Sequence, residues 1–85
     1  MAGWERGTVV RSLAGRDAGY PLCVVGYEGE LPLVCDGKER PLERPKKKNP
    51  RHLEPLGAEP LTWQLRGNRA LRKALRQVED QLKER

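Results

Sequence analysis

Aromatic residues are scarce in this chain of 85 residues, which has no phenylalanine, two tryptophans and two tyrosines. An aromatic core is therefore excluded, and the interior must be built from valine and leucine. A domain of this length buries only about 60–65% of the surface that its unfolded chain exposes, so the core is thin. The length itself predicts a single domain.

The residues that carry bond chemistry are also few. His52 is the single histidine, and the acidic residues are scattered. The pattern of nucleophile, base and orienting group that catalysis requires is not visible. Cys23 and Cys35 are too few and too far apart for a zinc site, which needs close ligand pairs. We interpret them as small buried apolar residues and predict no enzyme activity, no cofactor and no metal.

Long apolar runs are missing as well. No segment approaches the roughly 18 apolar residues of a membrane helix, and the first six residues contain no apolar run of the signal-peptide type. The sequence therefore predicts a cytoplasmic protein with no membrane partner. A disulfide is not expected in that reducing compartment.

Positive charge is abundant and unevenly placed. The net charge is +5, of which residues 1–45 contribute −1, residues 46–52 contribute +4, residues 53–62 contribute −2 and residues 63–85 contribute +4. Segregation of cations in this way favours binding to a polyanion. The alternative is a charged surface that serves only to keep a small domain soluble.

Short segments rich in valine and leucine, separated by turns, predict an antiparallel β-structure. The turns are Glu28-Gly29 and Asp36-Gly37, the second of which is a strong signal for a type I′ hairpin. Several short strands with regular turns indicate a small barrel. The expected strands cover residues 8–11, 22–27, 31–35 and 39–43.

The chain divides into three parts of one domain. Residues 1–45 form the predicted barrel. Residues 46–62 form a basic, proline-punctuated segment that wraps the barrel in an extended path, because each proline fixes its own φ and keeps the preceding residue extended. Residues 63–85 contain a basic amphipathic helix.

The helix is expected to begin at Asn68, a good N-cap residue. Its apolar residues recur with helical spacing and form one stripe that packs on the barrel or on a partner. The basic residues lie broadly opposite this stripe. Those in the first turn oppose the helix dipole, which destabilises the helix by about 0.3–1 kcal/mol for each residue. A helix that lays its first two turns on phosphates regains this energy. The apolar stripe is Leu71, Leu75, Val78 and Leu82, and the basic face is Arg69, Arg72, Lys73 and Arg76.

Two separated motifs resemble a known family. The segment Gly7-x-Val-Val-x-Ser-x-Ala-Gly-Arg-Asp-x-Gly19 is similar to the KOW motif, a strand–loop–strand unit of ribosomal and transcription-elongation proteins. The segments Val34-Cys-Asp-Gly-Lys-x-Arg-x-Leu42 and Pro45-Lys-Lys-Lys-Asn-x-x-His-Leu53 resemble large-subunit ribosomal proteins of the archaeal and eukaryotic fourteen-e type. Small bacterial KOW-domain RNA-binding proteins are also similar. The resemblance covers residues 6–53 and, more loosely, the helix from residue 68.

This resemblance implies an SH3-like antiparallel barrel with RNA as its ligand. It also implies that Gly19 lets the chain turn between the first two strands and that Arg16 is a loop cation near RNA. The lysines and the arginine after Pro45 would continue the same surface. The cations of that segment are Lys46, Lys47, Lys48 and Arg51.

The predicted RNA-binding residues are one tyrosine and the basic residues of three parts of the chain, namely the first loop, the segment after Pro45 and the helix. Arg16 either contacts RNA or pairs with a carboxylate, and Tyr20 either stacks on a base or covers the end of the barrel. His52 either stacks on a base or has a structural role, and Trp4 and Trp63 are interpreted as covering the ends of the thin core. Ser12, Gly15, Asp17 and Gly19 are expected to shape the loop. The predicted RNA-binding set is Arg16, Tyr20, Lys46, Lys47, Lys48, Arg51, Arg69, Arg72, Lys73 and Arg76.

Two functions of different classes follow from the sequence. The leading hypothesis is a non-enzymatic RNA-binding protein that recognises ribosomal or other structured RNA through its backbone, because few base-reading groups are present. The alternative is a protein-interaction adaptor whose amphipathic helix docks on a translation or transcription component. Salt-dependent binding of the isolated protein to RNA distinguishes the first from the second.

Overall fold

The computed structural model describes residues 3–83, which form an antiparallel sheet with one helix packed on it. The strands and the helix, in chain order, are β1 Val9–Ser12, β2 Pro21–Glu28, β3 Leu31–Cys35, β4 Lys46–Lys47, β5 Leu53–Pro55 and α1 Asn68–Lys83. Short 3₁₀ helices cover Pro50–His52 and Trp63–Arg66. The order across the five-stranded sheet of these residues is β4-β3-β2-β1-β5. The prediction of a mainly-β fold with a C-terminal helix is confirmed.

The first three strands form where the chain is rich in apolar residues, and each contains valine, which suits a pleated and half-buried surface. In the register of β2 with its neighbours, Cys23 lies opposite both Val9 and Cys35. The turn between β2 and β3 has two residues and begins with Gly29, whose φ of 61° is accessible to glycine. These strands agree with the sequence prediction to within a residue at either end.

The predicted strand at 39–43 is wrong. Those residues belong to an irregular loop, because the Asp36 carboxylate forms hydrogen bonds with nearby backbone groups in place of the hydrogen bonds of a sheet. It accepts hydrogen bonds from the backbone N–H groups of Lys38 at 2.8 Å and Arg40 at 2.9 Å. The predicted type I′ turn is also wrong, since it needs a positive φ at both central residues and, of Asp36 and Gly37, only Gly37 has one.

Two short parts of the proline-punctuated segment, β4 and β5, pair with the sheet. Lys46 of β4 pairs with Val34, and Leu53 of β5 pairs with Ser12. The two strands occupy opposite edges of the sheet, yet residues 48–52 alone join them. Three of these five residues form a 3₁₀ helix, which advances only about 2 Å per residue. The outer strands of a flat five-stranded sheet would lie four steps of about 4.8 Å apart, so this connection requires the sheet to curve.

Both faces of the curved sheet bury apolar side chains, as the alternation of side chains along a strand allows. One cluster, the helix-side cluster, joins strand residues to α1 and to the segment before it. The other, the inner cluster, has Trp4 and Tyr27 packed at its margin. The helix-side cluster is Val9, Cys23, Cys35, Leu61, Leu65, Leu71, Ala74 and Leu75, and the inner cluster is Val10, Leu22, Val24, Val34 and Leu53.

The apolar stripe of α1 packs on its own sheet. Leu71 is fully buried there, and burial of such a side chain contributes about 1.5–3 kcal/mol. The predicted N-cap is corrected, because the first backbone hydrogen bond of the helix runs from Leu71 N–H to the Gly67 carbonyl. Asn68 instead binds the β3–β4 loop: its Oδ1 accepts from Leu42 N–H at 2.7 Å, and its amide donates to the Glu43 carboxylate at 2.8 Å.

Within residues 3–83, no helix combines the length and the apolar character needed to cross a membrane.

Candidate nucleic-acid interface

The predicted basic face of α1 is exposed, because burial of Leu71 and Leu75 turns the opposite side of the helix to solvent. No acidic residue lies in its first turn. Among the described side chains, those of residues 3–82, the ion pairs join Lys47 to Glu28, Lys48 to Asp17 and Arg11 to Glu54. They leave the basic face of the helix unneutralised. The four exposed cations of this face are Arg69, Arg72, Lys73 and Arg76.

A groove of about 610 Å³ separates the basic helix from the start of β2. We call it the Tyr20 groove, because the Tyr20 side chain lines it and is 57% exposed. Five cationic and two acidic side chains line it, so its net charge is positive. The charged lining residues are Lys38, Arg69, Arg72, Lys73, Arg76, Asp36 and Glu79.

The loop between β1 and β2 holds Tyr20 in place through its backbone. Tyr20 N–H donates to the Asp17 carbonyl at 3.0 Å, and the Tyr20 carbonyl accepts from Ser12 N–H at 3.1 Å. Gly15 and Gly19 have φ of 88° and 89°, a region that side-chain-bearing residues rarely adopt. The loop therefore has a defined shape, and Arg16 lies exposed within it.

A cluster of hydrogen-bonded polar side chains holds this loop in its conformation. Ser12 Oγ lies 2.8 Å from Asp17 Oδ1 and 2.9 Å from the Ala14 carbonyl. Lys48 Nζ donates to the same two acceptors, at 2.6 Å and 3.0 Å. Burial alone would raise the pKa of Asp17, but the hydrogen bonds from Lys48 and Ser12 and the ammonium charge outweigh it and lower this pKa below 3.8.

The tri-lysine segment divides between the interior and the surface. The Lys48 side chain is only 7% exposed, so its ammonium serves the loop. Lys47 Nζ lies 3.1 Å from Glu28 Oε2 in a solvated pair, which is worth at most about 1 kcal/mol. Lys46 and Arg51 are exposed. None of the four lines the Tyr20 groove, so the structure gathers Tyr20 and the helix cations but not these residues.

Trp63 is the residue that the sequence interpretation missed. That interpretation places it over the end of the core, but its side chain is 63% exposed. The buried neighbour is Leu65, which anchors the 3₁₀ helix to the helix-side cluster. The sequence carried no local signal of this exposure, because the three-residue spacing of Trp63 and Arg66 puts them on one face only in a 3₁₀ helix, and the sequence did not predict one here.

Trp4, by contrast, packs against the inner cluster as predicted. Its backbone is held by Tyr27, whose hydroxyl accepts from Trp4 N–H at 2.9 Å and donates to the Trp4 carbonyl at 3.0 Å. His52 is exposed at the end of its 3₁₀ helix.

The two cysteines are free and buried between the sheet and α1. Burial raises the pKa of each thiol to about 12, and the proximity of Cys35 adds to the effect at Cys23. Thiols of this kind stay protonated and unreactive at neutral pH. Within residues 3–83, no group of three or more histidine, cysteine or acidic side chains is arranged to hold a metal ion.

No protein-family model matches this chain, and no curated protein matches it either.

Proposed function

We propose that the protein is a non-enzymatic RNA-binding protein of the KOW type, with an SH3-like barrel, that binds ribosomal or other structured RNA. The Tyr20 groove and the basic face of α1 would contact the RNA backbone. The observation that carries the proposal is the excess of cations in this groove beside an exposed aromatic ring. Cations bind phosphates, and an aromatic ring can stack on a base.

The curvature of the sheet supports the barrel part of the proposal. A register shift between Val24 and Gly26 of β2 is the kind of irregularity that bends a strand. The Lys48 side chain then reaches from the β4 edge to Asp17 in the loop after β1. The inner cluster would be the interior of the barrel.

Backbone recognition fits this surface better than base reading. Arginine and lysine dominate the groove, and such contacts provide affinity and position with little sequence information. Lys46, Lys47, Arg51 and Arg16 would extend the phosphate-binding surface. Lys48 is left out of the proposed contacts, because its ammonium is buried against Asp17.

The adaptor hypothesis is less well supported. It needs an apolar helix face that is free to dock on a partner, but Leu71 and Leu75 are already packed on the sheet. What α1 presents to solvent is mainly charge, which favours a polyanionic ligand.

Salt dependence of RNA binding tests the proposal. We expect the protein to bind a fluorescein-labelled RNA hairpin with an affinity that falls steeply between about 50 and 200 mM salt. The double variant Arg72→Gln/Arg76→Gln removes two cations from the Tyr20 groove. It should weaken binding and flatten the plot of log K against log salt by about 0.7–0.9 for each phosphate that the protein no longer neutralises.

The matched control is Arg6→Gln/Arg44→Gln, which removes the same charge at exposed positions outside the Tyr20 groove. It should change the affinity only through the smaller net charge. If the two double variants bind the hairpin equally well, or if the unmodified protein shows no salt-dependent RNA binding, the proposal is wrong.

A further inference from the structure

A second groove, of about 690 Å³, runs along the other flank of α1. We call it the Trp63 groove. Arg69 and Lys73 line both grooves. Successive residues of an α-helix lie about 100° apart around its axis. Arg72 and Glu79 therefore lie on one side of these two cations, and Ala70 and Gln77 lie on the other. Arg69 and Lys73 form a basic ridge that the two grooves share.

The Trp63 groove contains cations without counter-charges. Arg66, Arg69 and Lys73 line it, and none of its lining residues is acidic. The neighbouring polar groups are the amides of Gln64 and Gln77. A site with this charge selects an anion, which makes an acidic ligand the complementary partner.

Trp63 gives the groove a flat aromatic wall. Its ring is the most exposed of the large apolar side chains in the described chain, and the buried Leu65 fixes the 3₁₀ helix that carries it. Folding gains little from a ring in this position, because the ring stays in water. A flat ligand that stacks on it would bury that surface.

We infer that the Trp63 groove holds an unpaired base of single-stranded RNA, stacked on Trp63, while the adjoining phosphates lie along the Arg69–Lys73 ridge. This inference rests on the proposed function and specifies its ligand. An aromatic platform beside a basic track is the general arrangement for single strands, since every base has a face to stack. In a duplex those faces are already covered. The groove volume lies within the roughly 300–1,000 Å³ of small-ligand sites, which accommodates one nucleotide.

The inference places the RNA across the helix. Tyr20 and Trp63 lie in the grooves on the two sides of the ridge. A structured RNA that presents a single-stranded loop or end could therefore contact both grooves, with its phosphates on the ridge between them.

Substitution of Trp63 provides the test. Affinities are measured for a labelled single-stranded RNA and for the same strand annealed to its complement. Trp63→Ala should weaken single-strand binding by about 5- to 150-fold, the range for removal of one base–aromatic stack, and should leave duplex binding within about twofold. Trp63→Phe should restore most of the affinity because it keeps an aromatic face. Leu13→Ala, which truncates another exposed apolar residue (48% exposed) outside this groove, should have no effect.

A second readout follows the ring itself. In a Trp4→Phe background, Trp63 is the single tryptophan, and its fluorescence should be quenched by the single strand and not by the duplex. Equal binding of the single strand by the unmodified protein and by Trp63→Ala would overturn the inference and leave the proposed function standing. Quenching by anionic vesicles or an acidic peptide, with none by RNA, would also overturn it. Absence of salt-dependent binding to every RNA would remove the proposed function as well.

Discussion

Lys48 shows how the surroundings of a residue decide its role. Four cations follow Pro45 within seven residues, and the sequence offers no means of separating them. In the fold, Lys48 alone of these points into the domain, where Asp17 and the Ala14 carbonyl accept its hydrogen bonds. Its neighbours Lys46 and Lys47 stay in solvent. The same residue type therefore stabilises the loop at one position and remains available to a ligand at another.

Replacement of Lys48 by glutamine should destabilise the protein. The change leaves the partly buried Asp17 carboxylate without its charged donor, and the loss of such a hydrogen bond costs about 1.5–3 kcal/mol. Urea unfolding followed by circular dichroism measures the free energy of unfolding. Lys46→Gln is the matched control and should stay within about 0.5 kcal/mol of the unmodified protein.

The pH dependence of this difference has a defined sign. The pKa of Asp17 is lower in the folded protein than its ordinary value of 3.8, so the stabilisation is fully present above pH 3.8 and is lost as the pH falls through the folded value. The difference in free energy of unfolding between the unmodified protein and Lys48→Gln should therefore become smaller in acid. If this difference is absent at neutral pH, or if it becomes larger in acid, the role assigned to Lys48 is wrong.

At the scale of elements, the β3–β4 loop and α1 depend on one another. Gly37 has a φ of 82° and lies directly against the carbonyl of Asn68 and the amide of Arg72 in the first turns of the helix. The Asn68 side chain also accepts a hydrogen bond from the same loop, at Leu42 N–H. This contact sets the start of α1 and hence the position of its basic face over the Tyr20 groove.

Gly37→Ala should disturb this contact. Alanine would be strained at a positive φ by about 1–2 kcal/mol, and its methyl group would also overlap the helix backbone. Gly19→Ala is a close control, because Gly19 has a φ of 89° and no atom within 4 Å of an added methyl group. Thermal unfolding should show a larger loss of stability for Gly37→Ala. Equal losses would mean that the loop does not support the helix.

At the scale of the complete fold, α1 packs on one face of the sheet and covers it. Cys23 and Cys35 lie in the helix-side cluster with Leu71 and Leu75 above them. The Cα radius of gyration is 11.5 Å, close to the value of about 12 Å for a compact domain of this length. Solvent therefore reaches the thiols only when the helix and the sheet separate.

Alkylation of the thiols measures this separation. At about pH 8, near the ordinary thiol pKa of about 8.5, the folded protein should resist iodoacetamide, since burial raises both pKa values to about 12. The unfolded chain should take up two alkyl groups, one for each cysteine. Mass spectrometry across a urea titration should show alkylation that follows unfolding of the sheet. Alkylation well before that transition would show that the helix detaches on its own.

Local periodicity in the sequence was enough to predict the first three strands, the amphipathic helix and its exposed cations. What distant residues do together depended on the packing of the folded chain. The fold has Lys46–Lys47 as its fourth strand and not residues 39–43, since the Asp36 carboxylate holds the backbone of Lys38 and Arg40 in a loop. It buried Lys48 and left Trp63 in solvent, and it brought Tyr20 beside the helix. Burial and proximity arise from packing between segments far apart in the chain, and no local pattern of residues records them.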